Sequence, residues 1–267
     1  MVREARITLA CGPLRYLEAG AGWPLVLLHA FPLSADMWRP QLEQVPAGWR
    51  LVAPDLRGFG GAADSSAVES IEDLADGVFQ LLDALAFERA AIGGLSMGGY
   101  VAFAMIRREP ARFSQIVLAD TRATADTPAG REARKGMLAA LDAGGPAAVA
   151  DLMLPKLLGE SSRTEQPELE NRVRRMIETN DAAGIAGGIR AMMDRSDSTP
   201  LLDQIGVPSL IIVGDEDVLT PPADSEAMAA RLRRSRLVKL PRAGHLSSLE
   251  APRDFSVALS DFLTSPL

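Results

Sequence analysis

Residues 90–102 read Ala90-Ala91-Ile92-Gly93-Gly94-Leu95-Ser96-Met97-Gly98-Gly99-Tyr100-Val101-Ala102. A short apolar run, of the kind a strand buried on both faces shows, enters Gly-x-Ser-x-Gly, and a helical pattern begins directly after it. A serine at so sharp a strand-to-helix turn has a strained backbone and a hydroxyl held clear of the sheet. Gly94 and Gly98, two residues to either side, remove Cβ atoms that would clash there. The amide of Met97 would lie at a helix N-terminus, where N–H groups stabilise a developing oxyanion. A serine hydroxyl is a poor nucleophile at neutral pH and needs a base that is itself held by an acid. Two histidines exist to supply the base, His29 and His245. His29 follows the apolar run 25–28, while His245 lies in Arg242-Ala243-Gly244-His245-Leu246, between a strand-like run and a C-terminal helical pattern. For the acid, Asp217 stands just beyond the apolar run 210–213, with Asp215 and Glu216 beside it, and Asp120 follows the run 116–119. Strand ends are where an open α/β sheet assembles its sites. The competing structural reading of 94–98 is a glycine-rich turn for close helix–sheet packing, a role that suits Gly99 and Ala102. A phosphate-cradling loop is excluded, because no Lys-Ser/Thr follows.

The elements that must position these residues are legible from periodicity. Residues 6–9 and 14–18 form a predicted hairpin that turns near Gly12-Pro13. Short apolar runs at 25–28, 50–54, 90–93, 116–119, 210–213 and 237–240 read as strands. Ile71, Leu74, Ala75, Val78, Leu82 and Leu85 share one helical face, with Ser70 as N-cap and Asp73 three residues on, near a capping-box arrangement. Alternating strands and helices predict an α/β fold with a mostly parallel sheet covered on both faces. From 121 to 200 strand-like runs stop and four helical patches follow, around 137–141, 149–157, 169–177 and 185–193. This stretch reads as a helical cap insertion (121–200) in a core made of 1–120 and 201–267. It carries five of the ten methionines, Met137, Met153, Met176, Met192 and Met193, for which packing is the expected role. No aromatic residue occurs between Phe113 and Phe255, so an aliphatic pocket is expected more than aryl stacking. Trp38 and Trp49 read as core, Trp38 at most bordering a pocket. Gly58-Phe59-Gly60-Gly61-Ala62-Ala63 mimics a dinucleotide fingerprint, yet 63–66 reads as loop where that fingerprint must open a helix.

Composition narrows the partners. The 267 residues hold 28 Lys+Arg against 35 Asp+Glu, a net charge of −7 without a basic run, which argues against nucleic acid and anionic membrane. One cysteine, Cys11, excludes an internal disulfide, and two histidines exclude a His-rich metal centre. The N-terminus lacks a secretory pattern, and the strand-like runs 25–28 and 210–213 are far below the roughly 20 apolar residues of a membrane span. A soluble, cytoplasmic chain is the expectation.

The chain resembles α/β-hydrolase-fold serine esterases with a helical cap, over nearly its whole length. The order Ser96, Asp217, His245 is the order of that family's triads. Gly214-x-x-Asp217-x-x-x-Pro221 resembles the acid loop and favours Asp217 over its neighbours; Gly244-His245 with Glu250 and Pro252 resembles the histidine loop. Pro54-Asp55-Leu56-Arg57-Gly58-Phe59-Gly60 matches the loop after the fourth strand, and His29-Ala30-Phe31-Pro32 the oxyanion segment, with Ala30 where glycine is common. The resemblance implies a Ser96–His245–Asp217 triad, an oxyanion hole from the amides of Phe31 and Met97, a bracing role for His29, and no metal or organic cofactor.

The implied activity is hydrolysis of a small-molecule carboxylic ester through an acyl-enzyme. Serine at position 96 sets the chain apart from the dehalogenases and epoxide hydrolases of this fold, which carry aspartate there. A lactonase similar to 3-oxoadipate enol-lactonases is the nearest alternative. Pro32 resembles the proline of cofactor-free haloperoxidases and points to ester perhydrolysis as a side activity, against a plain role in a rigid turn. A different class is a hydrolase-like receptor that keeps the triad but acts by binding a small ligand.

Overall fold

The computed structural model describes residues 1–60 and 68–265. The loop expected at 63–66 and the second half of the Gly58–Ala63 match, from Gly61 on, lie outside the described residues. Each predicted apolar run is a strand: β1 (Arg3–Leu9), β2 (Gly12–Gly20), β3 (Trp23–Leu28), β4 (Trp49–Pro54), β5 (Ala90–Leu95), β6 (Phe113–Ala119), β7 (Ser209–Gly214) and β8 (Ser235–Leu240). The expected hairpin is β1–β2, and its turn uses the positive φ of Gly12, 116°.

One sheet holds them in the order β1-β2-β4-β3-β5-β6-β7-β8. β2 runs antiparallel to β1 and β4, and every pair from β4 to β8 is parallel. The chain goes from β3 to β4 on one side, then crosses to β5 on the other. The strand order therefore reverses around β3, and the segments leaving β3 and β5 diverge to open a crevice at their carboxyl ends. Residues 29–32 leave β3 there, and Ser96 leaves β5. All six residues of β5 and of β7 are buried, which is why these strands read as continuous apolar runs, while the edge strand β1 alternates.

The helix Ile71–Ala84 buries Leu74, Val78, Leu81 and Leu82. Its capping box is complete: Asp73 N donates to Ser70 Oγ at 3.1 Å, and Ser70 N donates to Asp73 Oδ2 at 2.9 Å. The helix Met97–Arg108 starts directly after Ser96 and buries ten residues, including Tyr100 and Phe103. Pro252–Thr264 packs Phe255, Leu259 and Phe262 inward, with Trp38 against Phe255 at 5.8 Å between ring centroids.

Between β6 and β7 comes the helical insertion: Pro128–Leu157, Glu160–Glu165, Pro167–Glu178 and Ala182–Met193. Here the structure differs from the expectation of four separate patches. The patches at 137–141 and 149–157 are two halves of one kinked element, Pro128–Leu157. Gly145 takes φ 67°, ψ −163°, a conformation outside the helix region, and Pro146 restarts the helix where its missing N–H costs nothing. By length and composition alone this 30-residue element, with a window of mean hydropathy 1.4, is apolar enough to cross a membrane, which the strand-like runs did not foretell. The kink at Gly145 interrupts it, and Leu141, Val149, Leu154 and Leu157 are buried against the rest of the protein.

Because both partners of the capping box are in place, Ser70→Ala should lower stability by about 1 kcal/mol. Urea unfolding at pH 7 checks this; an unchanged midpoint at unchanged slope would remove the cap from the account of this helix.

Candidate active site

Ser96 has φ 53° and ψ −112°, a strained conformation for a residue with a side chain, of a kind that costs roughly 1–3 kcal/mol. The surroundings hold it there. Ser96 N donates to Ala119 O at 3.0 Å, and its carbonyl accepts from Gly99 N and from Thr121 Oγ1, both at 2.9 Å. A Cβ on Gly94 would stand 2.1 Å from Gly98 O, and one on Gly98 would stand 2.2 Å from Leu28 O. The two glycines are thus required by the closeness of β5, the following helix and β3. The side chain of Ser96 faces a cavity of about 520 Å³ that His245 also lines. Among the described residues its hydroxyl makes no hydrogen bond, to His245 or to any other group.

His245 and Asp217 are paired. His245 Nδ1 lies 2.9 Å from Asp217 Oδ2, and both side chains are buried. The other oxygen of Asp217 accepts from Leu219 N at 2.8 Å and Thr220 N at 2.9 Å, and Thr220 Oγ1 donates to Oδ2 at 2.6 Å. A carboxylate so supplied makes Nδ1 the protonated nitrogen of the ring and leaves Nε2 able to accept a proton. Burial resists ionisation of Asp217, but the adjacent imidazole and the Thr220 bonds outweigh it and hold the carboxyl below its usual range.

The other candidate acids do not reach His245. Asp215 accepts from Arg242 N at 2.7 Å, and Glu216 accepts from Ser161 N at 2.9 Å. Asp120 is fully buried; it accepts from Gly214 N at 2.9 Å and from Ser247 Oγ, so it ties the end of β7 to the histidine loop. Burial, and then the nearby charge of Asp217, push Asp120 well above the normal carboxyl range.

His29 spends both nitrogens on the backbone. Nδ1–H donates to Ala30 O at 2.9 Å and Nε2 accepts from Leu56 N at 2.9 Å, so the ring braces the loop after β3 against the loop after β4. Complete burial lowers its pKa to about 4, despite the bond to Ala30. Phe31 follows in that loop, and its ring lines the cavity. Among the described residues the amides of Phe31 and Met97 donate to no protein acceptor, and Met97 is the first residue of its helix. Asn180, from the insertion, fixes the same loop by donating to Pro32 O at 2.8 Å while accepting from Gly60 N at 2.8 Å.

Several contributors were not legible in the sequence. Thr220 is one. Glu250 was legible only as part of the histidine-loop resemblance, without a role: its carboxylate accepts from Gly159 N at 2.8 Å, Gly244 N at 2.9 Å and Leu246 N at 3.0 Å, clamping both flanks of His245 to the exit of the insertion. Met137, Met153 and Met192 line the cavity instead of merely packing, whereas Met176, Met193 and Trp38 stay off its wall. Arg122, Arg134 and Lys156 also line it; single basic residues on a helix or loop give no sequence signal beyond a solvated surface.

A family profile described as the alpha/beta hydrolase fold matches residues 24–252. The chain belongs to the alpha/beta hydrolase fold family. This alpha/beta hydrolase is 30% identical over 243 residues to 3-oxoadipate enol-lactonase 1 of Acinetobacter baylyi, covering 90% of this chain and 88% of the relative. It is 29% identical over 258 residues to a pimeloyl-[acyl-carrier protein] methyl ester esterase of Neisseria meningitidis, covering 90% and 93%. Among solved structures it is similar to a thermophilic esterase from Thermogutta terrifontis, determined with malate bound, at 36% identity, TM-score 0.92 and 98% coverage of both chains.

The lowered pKa of His29 has a testable sign. Above pH 6.5 the ring is neutral folded or unfolded; as pH falls, the unfolded chain takes up a proton near 6.5 that the native state refuses until about 4. Stability is therefore lost across that window. Between pH 7.5 and 5 the wild type should lose about 2 kcal/mol more than a His29→Gln variant. Paired denaturation curves at both pH values measure this, and equal losses would contradict it.

Proposed function

We propose that this alpha/beta hydrolase cleaves small carboxylic esters with Ser96 as nucleophile, His245 as general base and acid, and Asp217 as the group that orients and stabilises the imidazolium. The observation that carries this reading is the buried Asp217–His245 pair at the wall of the cavity into which the strained Ser96 turn projects. In that scheme Ser96 Oγ attacks the ester carbonyl as Nε2 of His245 takes its proton. The amides of Phe31 and Met97 receive the oxyanion, which accounts for two buried N–H groups otherwise without an acceptor. His245 returns the proton to the leaving alcohol. Water, deprotonated by the same nitrogen, then releases the acid and frees Ser96. Residues 121–200 serve in this proposal as the cap over a core of 1–120 and 201–267.

A lactone is the second substrate class, favoured by the similarity to an enol-lactonase. Its cyclic ester passes through the same steps with the leaving alcohol still attached to the acyl chain.

The test is steady-state hydrolysis of p-nitrophenyl esters from acetate to laurate. Wild type should turn over steadily, Ser96→Ala should lose nearly all activity with its fold retained, and Asp217→Asn should fall roughly 10³–10⁴-fold in kcat because the ring takes the wrong tautomer. Full activity in Ser96→Ala would sink the scheme. A single burst without turnover in wild type would replace it with a ligand-receptor role.

A further inference from the structure

The cavity shared by Ser96 and His245 runs against the charge of the chain around it. The whole sequence carries −7, yet the cavity wall holds Arg122, Arg134 and Lys156 against one carboxylate, Asp126. Two of these cations are already engaged. Arg122 pairs with Asp224 at 3.2 Å and donates to Leu219 O. Arg134 pairs with Asp126, but that carboxylate is shared with a second guanidinium, Arg195, at 2.6 Å. Arg195 in turn lies over the ring of Tyr100, 4.0 Å from its centroid, and Tyr100 faces the cavity. One carboxylate between two guanidiniums leaves a positive charge behind that wall.

Lys156 is the third. It sits in the last turn of Pro128–Leu157, and among the described residues it makes no ion pair and no hydrogen bond. The cavity lining that includes Lys156 also has apolar members: Leu152 and Met153 from the same helix, Met192 from the helix Ala182–Met193, and Leu219 from the loop after β7. Lys156 is exposed, so its ammonium stays hydrated; a neutral acyl chain gains nothing from it, whereas an anion entering a cavity lined by three cations and one carboxylate is attracted. Opposite charge also raises the encounter rate with a substrate that a −7 surface would otherwise repel.

We propose that the ester taken by this site carries a carboxylate at the end remote from the scissile carbonyl, and that Lys156 is the residue that selects it. The inference deepens the esterase reading and rests on it for the position of the scissile bond. It modifies the expectation of an aliphatic pocket more than aryl stacking: Leu and Met side chains share the cavity lining with the rings of Phe31 and Tyr100 and with three cations.

The test compares mono-p-nitrophenyl adipate with p-nitrophenyl hexanoate, esters of equal chain length that differ by one terminal carboxylate. Wild type at 20 mM salt should favour the adipate ester by about tenfold or more in kcat/KM, and 500 mM NaCl should erase most of that preference. Lys156→Gln should cut the adipate-to-hexanoate ratio about tenfold and Lys156→Glu should invert it. Lys135→Gln, which removes a cation paired with Glu132 and off the cavity wall, should leave the ratio unchanged. A wild-type ratio near one, or a ratio indifferent to Lys156→Glu, overturns the proposal. Equilibrium dialysis of free adipate with Ser96→Ala separates the two layers of inference. Lys156-dependent binding without turnover of either ester would retain the anion site and reject the nucleophile assignment. Turnover of both esters without charge selection would do the reverse.

Discussion

Ser96 occupies a backbone conformation, φ 53° and ψ −112°, that an isolated chain would leave at once, and the architecture around it is arranged to forbid that relaxation. β3, β5 and the helix Met97–Arg108 converge so tightly that Gly94 and Gly98 have no room for a methyl group. Ala119 at the end of β6 receives the amide of Ser96, and Thr121 just beyond holds its carbonyl. Three consecutive parallel strands and one helix therefore meet at a single residue. The strain is offset by burial in β5 and the helix, where nearly every side chain is inaccessible.

A second constraint is electrostatic. Asp120, Asp217 and Glu250 are all buried around the histidine loop, and three anions there would repel one another. Each is treated differently. Asp217 has the imidazole, the Thr220 hydroxyl and two amides, and stays below the usual carboxyl range. Asp120 is pushed well above that range by burial and by the nearby charge of Asp217, and it bridges Gly214 and Ser247. Glu250 is raised by burial despite three backbone donors. Their effects on acid stability oppose one another. The lowered group loses its contribution as pH falls through its folded pKa, while the raised ones favour the native state as they take up protons first.

The insertion is more than a cover. Glu250 binds its exit at Gly159, Leu246 N donates to Leu157 O at 3.2 Å, Glu216 accepts from Ser161, and Asn180 grips both Pro32 and Gly60. Each bond joins the insertion to a loop that leaves a strand's carboxyl end. The loops carrying Phe31, Asp217 and His245 are thus held from the sheet below and from the helices above. Those same helices furnish the methionines and the unpaired lysine of the cavity.

Local pattern alone determined most of the framework. Strands buried on both faces must read as unbroken apolar runs, a capping box needs Ser70 and Asp73 three apart, and the sharp strand-to-helix turn at Ser96 needs glycine two residues to each side; all are short-range requirements written in adjacent residues. The pairing of Asp217 with His245, 28 positions apart, was legible through motif resemblance, since nothing local fixes it. What only the tertiary structure decided depends on which distant surfaces meet. Asp120 and Asp217 both end strands, and their different partners, set by the order β5-β6-β7-β8, separate a bridging acid from one that holds a histidine. Asn180 as a tie and Lys156 as an unpaired cation on the cavity lining have no sequence signature, and the clamp made by Glu250 was not readable from its place in the histidine-loop resemblance. Each owes its chemistry to residues brought beside it by the fold, because solvation and pairing are properties of a place and not of a side chain.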